Sequence, residues 1–320
     1  MAQVTIQKDL RRNRSASLGT AVQKDFRRNW IIYLMALPII GYYLLFYYQP
    51  MYGAVIAFKN FMPADGIFGS KWVGMKHFIT FFNSPYAFRL VRNTVLISFY
   101  SLIFGFPAPL FLALFLNEIN FSPYKRVIQT LTYLPHFISL VVICSLITSF
   151  TASEGLINDI IAFFLGSEAR STLLQNPANF RAVYITSDIW QAIGWGSIIY
   201  LASMSGIDSQ LYEAAIIDGA SRFKRAVHVT LPGIMPTITI MLILRMGSLM
   251  SVGFEKVFLL YNAGIYETAD VISTYVYRRG IIDTDWSFSA AVGLFNSVVN
   301  FILVVSANYI SRKVSETSLW

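Results

Sequence analysis

The sequence predicts an all-α integral membrane protein, on three observations. Of its 320 residues 55% are hydrophobic. Only 13% are charged, where a soluble chain carries about 25%. The apolar residues also gather in long charge-free windows separated by short basic stretches. The net charge of +8 does not point to nucleic acid, because the basic residues form no surface interleaved with aromatics. The single cysteine, Cys144, lies inside an apolar window, which excludes a disulfide framework, a CxxC pair and a thiolate metal site.

A membrane helix needs about 20 residues without charge. Windows free of Asp, Glu, Lys and Arg run over 29–58, 93–117, 127–153, 189–207 and 286–311. A further window, 226–254, is interrupted only by Arg245. Six transmembrane helices follow, with expected cores at 30–49, 93–116, 127–150, 183–204, 234–256 and 289–310. The first is longer than a secretion signal's apolar region and lacks a small-residue cleavage site, so it is expected to stay in the mature chain. Pro38, Pro107, Pro109, Pro135 and Pro236 fall inside these windows, so kinked helices around a cavity are expected.

Orientation follows from Lys and Arg. With the amino terminus inside, the inner segments 1–28, 118–126, 205–232 and 311–320 hold fourteen of them. The outer segments 51–91, 151–180 and 261–288 are longer in sum and hold seven. Both termini are therefore expected to be cytoplasmic. The organisation is a basic tail at 1–28, one membrane domain over 29–311 and a short tail at 312–320. The tail residues Lys8, Arg11, Arg12, Arg14, Lys24, Arg27 and Arg28 suit an orientation and anionic-lipid anchor. In the outer segments Trp72, Phe78, Phe81, Phe82 and Tyr86 suit an interfacial aromatic belt, or a dock for an external protein.

The inner segment 205–232 is long for a helix connection. Asp208 or Ser209 can cap a first short helix, Gly219 suits its C-terminal break, Ser221 can cap a second, and Pro232 closes the unit. Ala214 and Ala215 leave a thin face beside the charges of Glu213 and Asp218. Such an element either fits a basic cleft on a partner or rests on lipid headgroups.

Glu213-Ala214-Ala215, three residues, Gly219, nine residues, then Val229-Thr230-Leu231-Pro232 resembles the EAA loop of ABC importer permeases. The spacing matches throughout, and Val229 in place of isoleucine is the one departure. The resemblance covers nearly the whole chain from Trp30. Leu134-Pro-His-Phe, Ser187-Asp-Ile-Trp, Gly194-Trp-Gly-Ser-Ile-Ile-Tyr-Leu, Gly253-Phe-Glu-Lys, Tyr266-Glu-Thr-Ala-Asp-Val-Ile-Ser-Thr-Tyr-Val-Tyr and Ser318-Leu-Trp are similar to the polysaccharide branch, which includes alginate importers.

The resemblance implies the six-helix type I importer permease fold in a bacterial inner membrane. It implies a second homologous permease, two ATPase subunits carrying ATP and Mg2+, and an extracytoplasmic solute-binding protein that delivers an oligosaccharide, alginate being the best match. Glu213, Ala214, Ala215, Asp218 and Gly219 would then form the helix that enters an ATPase cleft, with Leu231 and Pro232 fixing the exit into the fifth span. The chain itself has no G-x-x-x-x-G-K-[ST] loop, so no nucleotide or other cofactor is expected on it.

A cation inside a span costs about 2.5 to 3.5 kcal/mol on insertion scales, so Arg245 requires a reason. It either lines the pathway and attracts a sugar carboxylate, or pairs with an acid or carbonyls of the second permease. Tyr184, Trp190, Trp195 and Tyr200 can stack on sugar faces, and Asn296 and Asn300 can bond hydroxyls, although helix packing or lipid facing is the stronger reading for each. Asp188 is expected to pair with a cation. His136 is expected to pack rather than bind metal, because no second ligand lies one turn away. A neutral oligosaccharide is an alternative cargo. An ion-coupled carrier would need acids in mid-span and internal repeats, and an enzyme would need an assembled nucleophile or metal set. The sequence has neither HExxH nor GxSxG, and its histidines, His77, His136 and His228, are far apart.

Overall fold

The computed structural model describes the backbone of residues 2–314 and the side chains of 23–313. The basic side chains from Lys8 to Arg14 and the closing Ser318-Leu319-Trp320 lie outside the described residues. The described residues are mostly helical, with one two-stranded antiparallel ribbon among them in which β1 (Lys59–Asn60) pairs with β2 (Lys71–Trp72). Among the described residues three helical stretches are long and apolar enough to cross a membrane: Gln23–Phe58, Ala87–Asn117 and Trp286–Lys313. Two bent pairs raise the number to five. A further helix, Pro177–Met204, is 28 residues long and carries Arg181 and Asp188. At about 1.5 Å per residue it also has the length to span a bilayer.

The first span begins as α1 (Ala2–Tyr43), bent at Asn29, and ends in a 3₁₀ stretch, Tyr52–Phe58. After α2 (Lys76–Phe82), the second span runs through α3 (Ala87–Tyr100) and α4 (Pro107–Asn117). Between them lies a widened π-helical turn, Ser101–Gly105, closed by Phe106 N donating to Ser101 O at 3.1 Å. The same widened turn precedes Pro50 at Leu44–Tyr48 and Pro232 at Ala226–Thr230. Proline lacks an amide hydrogen and its ring collides with the carbonyl four residues back. One extra residue per turn moves that carbonyl aside, so the helix passes through each of these prolines, although after Pro232 it breaks at Ile234. Pro38 sits inside α1 without such a turn.

The expected third span, 127–150, is not one helix. α5 (Ser122–Tyr133) passes into a 3₁₀ turn containing Pro135, breaks at Ile138, and restarts as α6 (Leu140–Phe150) at 102° to the first part. Ser139 caps the restart by accepting from Val142 N. After α7 (Leu156–Leu165), α8 (Pro177–Met204) contains the fourth expected core. Gly194 lets α8 lie backbone to backbone on α5, since a Cβ there would stand 2.1 Å from Thr132 O.

The expected fifth span, 234–256, is also interrupted. α11 (Met235–Gly247) ends at a non-helical stretch, 248–253, and α12 (Phe254–Leu260) follows; the loop helices α9 (Ser209–Ile217) and α10 (Arg222–Arg225) precede it. α13 (Ile272–Tyr277) and α14 (Trp286–Val314) complete the chain. Apolar residues of these helices bury one another in three clusters: around Phe180 and Val257, around Phe81 and Phe288, and around Ala113 and Tyr200. Phe81 is 1% exposed and belongs to the second cluster, so it is a core residue and no part of an aromatic belt. Trp72 is exposed and stacked on Phe58, Phe78 also rests on Phe58, Phe82 meets Phe295, and Tyr86 meets Tyr275. From Trp30 to Tyr48, by contrast, no residue of the first span is buried by other described residues.

Candidate functional site

The inner loop folds as two short helices with a tight turn, as the capping residues dictate. Asp208 caps α9 by accepting from Gln210 N at 2.9 Å. Gly219 ends it at φ +72, a left-handed conformation that glycine adopts without strain. Gly219 N donates to Ile216 O and Ala220 N to Ala215 O, which satisfies the last carbonyls of the helix. Ser221 caps α10 through Lys224 N.

The loop is tied to the spans in three places. Tyr212 and Thr230 share a hydrogen bond of 2.9 Å between their hydroxyls. Arg225 stands 3.6 Å from Glu118 at the end of α4. Ile207 fills the space beside Gly233. Glu213, Ala214, Asp218 and Gly219 are exposed, and beside them Ile217 and Phe223 are 85% and 77% exposed. The free surface therefore combines two carboxylates with large apolar side chains, which composition alone did not single out. Leu231 and Pro232 lie in the last turn before the break at Ile234.

The second candidate region surrounds the interruption at 248–253. Non-helical backbone at membrane depth must find partners inside the protein. Asn300 Oδ1 accepts from Met250 N at 2.9 Å, Ser98 Oγ donates to Leu249 O at 2.5 Å, and Ser273 Oγ donates to Val252 O at 3.4 Å. Asn300 is buried, and its Nδ2 donates to Ser251 Oγ. Its amide thus serves the interruption, in keeping with the packing reading of this residue.

Arg245 lies in the last turn of α11, where the negative end of a helix favours a cation. Its Nη2 donates to Ser101 Oγ at 2.5 Å. It faces two adjoining clefts of about 340 Å³ and 170 Å³, and Asp188 and Ser248 line both. Asp188 pairs with a cation as expected: Lys256 Nζ of α12, 3.4 Å away. Lys256 is almost wholly buried and lies over the Tyr184 ring. It belongs to the quoted Gly253-Phe-Glu-Lys stretch, yet its neighbours in sequence give no sign that it turns inward.

Tyr184 and Tyr200 are buried, each lining one of the two clefts. Trp190 is exposed and lines neither. Trp195 stacks on His136 with centroids 4.6 Å apart and planes 4° off parallel, so the packing reading holds for this histidine. Asn296 keeps its Oδ1 buried without a hydrogen-bond partner among the described residues. These residues therefore do not converge on one site. Arg245, Tyr184 and Tyr200 reach the clefts, and the other four do not line them. No group of three or more metal-ligating side chains occurs among the described residues.

At the end of α8 remote from the loop, Asp270 is wholly buried beneath charged and aromatic groups. Arg278 Nη2 donates to both its oxygens at 2.8 and 2.7 Å, Thr274 Oγ1 donates at 2.9 Å, and Arg89 stands 3.3 Å away. Burial opposes the charge on Arg278, but the bonds to Asp270 and Tyr261 outweigh it and hold the guanidinium above its ordinary range. Asn93 Nδ2 donates to the carbonyls of Glu267 and Asp270, so this network fixes the segment 261–282 onto α3.

Residues 105–316 match the family described as binding-protein-dependent transport system inner membrane component. Protein LplB of Bacillus subtilis (strain 168) is 43% identical over 307 residues, 96% of each chain. The polygalacturonan/rhamnogalacturonan transport system permease protein YteP of the same organism is 45% identical over 290 residues, 90% of each. A solved chain of a bacterial ABC transporter involved in the import of the acidic polysaccharide alginate is 42% identical, with a TM-score of 0.84 over 92% of this chain and 99% of its own. A chain of such a transporter in complex with an alginate pentasaccharide-bound periplasmic protein is 41% identical, with a TM-score of 0.85 at the same coverage.

Proposed function

We propose that this chain, which belongs to the family of binding-protein-dependent transport system inner membrane components, is the permease subunit that takes an acidic polysaccharide fragment, alginate or a related polyuronate, into a bacterial cell. YteP is a transport system permease protein, and the solved chains belong to an ABC transporter. The observation that carries the reading is the exposed α9, built from an EAA motif in a loop that Tyr212–Thr230 and Arg225–Glu118 tie to the neighbouring helices. The acidic cargo is supported by Arg245 on a cleft and by the cargoes of the relatives.

The membrane domain has six spans, both termini face the cytoplasm, and the α9–α10 loop lies on the inner side. Glu213 meets a basic residue in a cleft of an ATPase subunit, and Ile216, Ile217 and Phe223 are covered there. ATP and Mg2+ are held by two such subunits, and this chain hydrolyses nothing. Closure of the ATPases moves α9, and the Tyr212–Thr230 and Glu118–Arg225 contacts pass the movement to the spans. The clefts beside Arg245 then turn from the inner to the outer side, which requires ATP and sugar each to favour one state over the other. A second permease covers the apolar length of the first span and completes the pathway. An extracytoplasmic binding protein delivers the sugar.

The test is ATPase activity of the reconstituted full complex with binding protein loaded by acidic or neutral oligosaccharides. Stimulation by oligouronates is expected. Stimulation by neutral sugars only removes the acidic cargo, and transport driven by an ion gradient without nucleotide removes the importer reading.

A further inference from the structure

The end of α8 remote from the loop carries a second cationic feature, separate from Arg245. Arg181 Nη2 donates to Asn93 Oδ1 at 3.0 Å, and Arg92 Nη2 donates to the carbonyl of Glu267 at 3.0 Å. Asn93 Nδ2 donates to the same Glu267 carbonyl, so Asn93 brings the two like-charged guanidinium groups together, and the Nε of each is buried without an acceptor among the described residues. Neither forms an ion pair among the described residues. The Glu267 carboxylate attracts Arg181 only from a distance, and Asp270 is taken by Arg89 and Arg278. Each guanidinium offers five donors, so both hold unused bonding capacity towards an anion.

Beside Arg181 a cleft of about 500 Å³ opens between α3 and α8, with Tyr100, Phe104, Ala182 and Ile185 on its walls. That volume lies within the range of small-ligand sites. Ile189 lines both this cleft and the one that reaches Arg245, so the two follow one another along α8. From Arg181 to Asp188 the helix rises about 10 Å, within the length of a short oligosaccharide.

We propose that Arg92 and Arg181 form an outer anion subsite that takes a carboxylate of the incoming oligouronate, with a sugar face lying on Tyr100, before the chain passes on to Arg245. An anion between the two guanidinium groups relieves their mutual repulsion, and a carboxylate matches the planar fork of arginine. The aromatic ring supplies an apolar face with a polar rim, which suits a pyranose. The inference rests on the acidic-cargo reading.

The experiment uses the complete complex in zwitterionic proteoliposomes, with a trimeric oligouronate and the same trimer reduced at its carboxyl groups. In R92Q/R181Q the kcat/KM for oligouronate uptake falls about tenfold, that for the reduced trimer stays within twofold, and the salt dependence of oligouronate uptake flattens. Glutamine still donates to Asn93, so assembly is retained; R181Q alone gives the same pattern in smaller measure, and R181K recovers part of the loss. An equal loss for both trimers, with unchanged salt dependence, assigns the pair a structural or lipid-binding role and overturns the proposal. Unchanged oligouronate uptake also overturns it. A wild-type complex that ignores oligouronate sinks the acidic-cargo reading itself.

Discussion

Asn300 of α14 accepts a hydrogen bond from the backbone amide of Met250 across 2.9 Å, which pins the non-helical stretch after α11 to α14. An apolar residue of similar size at this position leaves a buried amide unmet. Asn300→Leu is expected to cost about 1 to 3 kcal/mol, read as a lower thermal midpoint of the purified complex. Asn300→Asp keeps the acceptor and is expected to lose less.

Glu213 is exposed beside Ile216 and Ile217. Glu213→Arg reverses the charge that the ATPase cleft is expected to grip. Sugar-stimulated ATPase activity should fall at least about tenfold, as like charges facing across an interface cost several kcal/mol. Membrane insertion of the subunit is expected to be unchanged, and normal stimulation would show that α9 is not the coupling element.

Gly219 holds φ +72 at the end of α9. Alanine there costs about 1 to 2 kcal/mol, whereas asparagine tolerates the conformation better. Gly219→Ala should weaken the coupling of sugar to ATP hydrolysis more than Gly219→Asn does, measured as the ratio of stimulated to basal activity.

Arg245 bonds Ser101 and borders both clefts. Arg245→Gln keeps a donor to Ser101 but removes the charge. Uptake of acidic oligosaccharide should drop about tenfold, the equivalent of 1.4 kcal/mol. Full acidic-sugar transport by an intact variant complex would remove its pathway role.

Asp270→Asn strips the counter-charge from Arg278 and Arg89. Breaking a buried pair from one side costs about 3 to 5 kcal/mol. The segment 261–282 should then exchange its amide hydrogens faster, which mass spectrometry can follow. Because its bonds to Asp270 and Tyr261 hold Arg278 above its ordinary range, its charged contribution is complete at neutral and mildly alkaline pH and is lost only as pH rises through that raised value. The wild-type segment should therefore not loosen through loss of this charge as pH rises from 7 to 10.

The spans and the loop were legible because their signals are local. Charge-free windows locate helices, and Asp208, Gly219 and Ser221 mark the ends of α9 and α10 through side-chain or backbone chemistry within a few residues. The interruptions at 138 and 248–253 were not, because hydropathy counts apolar residues and does not register where backbone polarity is met by distant partners. Ser98, Ser273 and Asn300 lie 151, 21 and 50 residues from the groups they serve. The burial of Lys256 escaped for the same reason, since Asp188 comes from another helix, 68 residues away; Asp270 takes Thr274 and Arg278 from within eight residues, and only Arg89 comes from afar. Trp190 and Trp195 show the converse, since an aromatic in a span advertises contact without saying with what.

Where α8 crosses α5, Gly194 leaves no room for even one methyl group against Thr132. Rods welded so closely cannot slide past each other, so they must swing as one piece. Within the bent helix pairs the breaks in regular helix fall at Ile138–Ser139 and Ile234, and a further one lies at 248–253. Bulk added at position 194 would therefore have to push the two helices apart, whereas a substitution at the breaks would leave that seam closed.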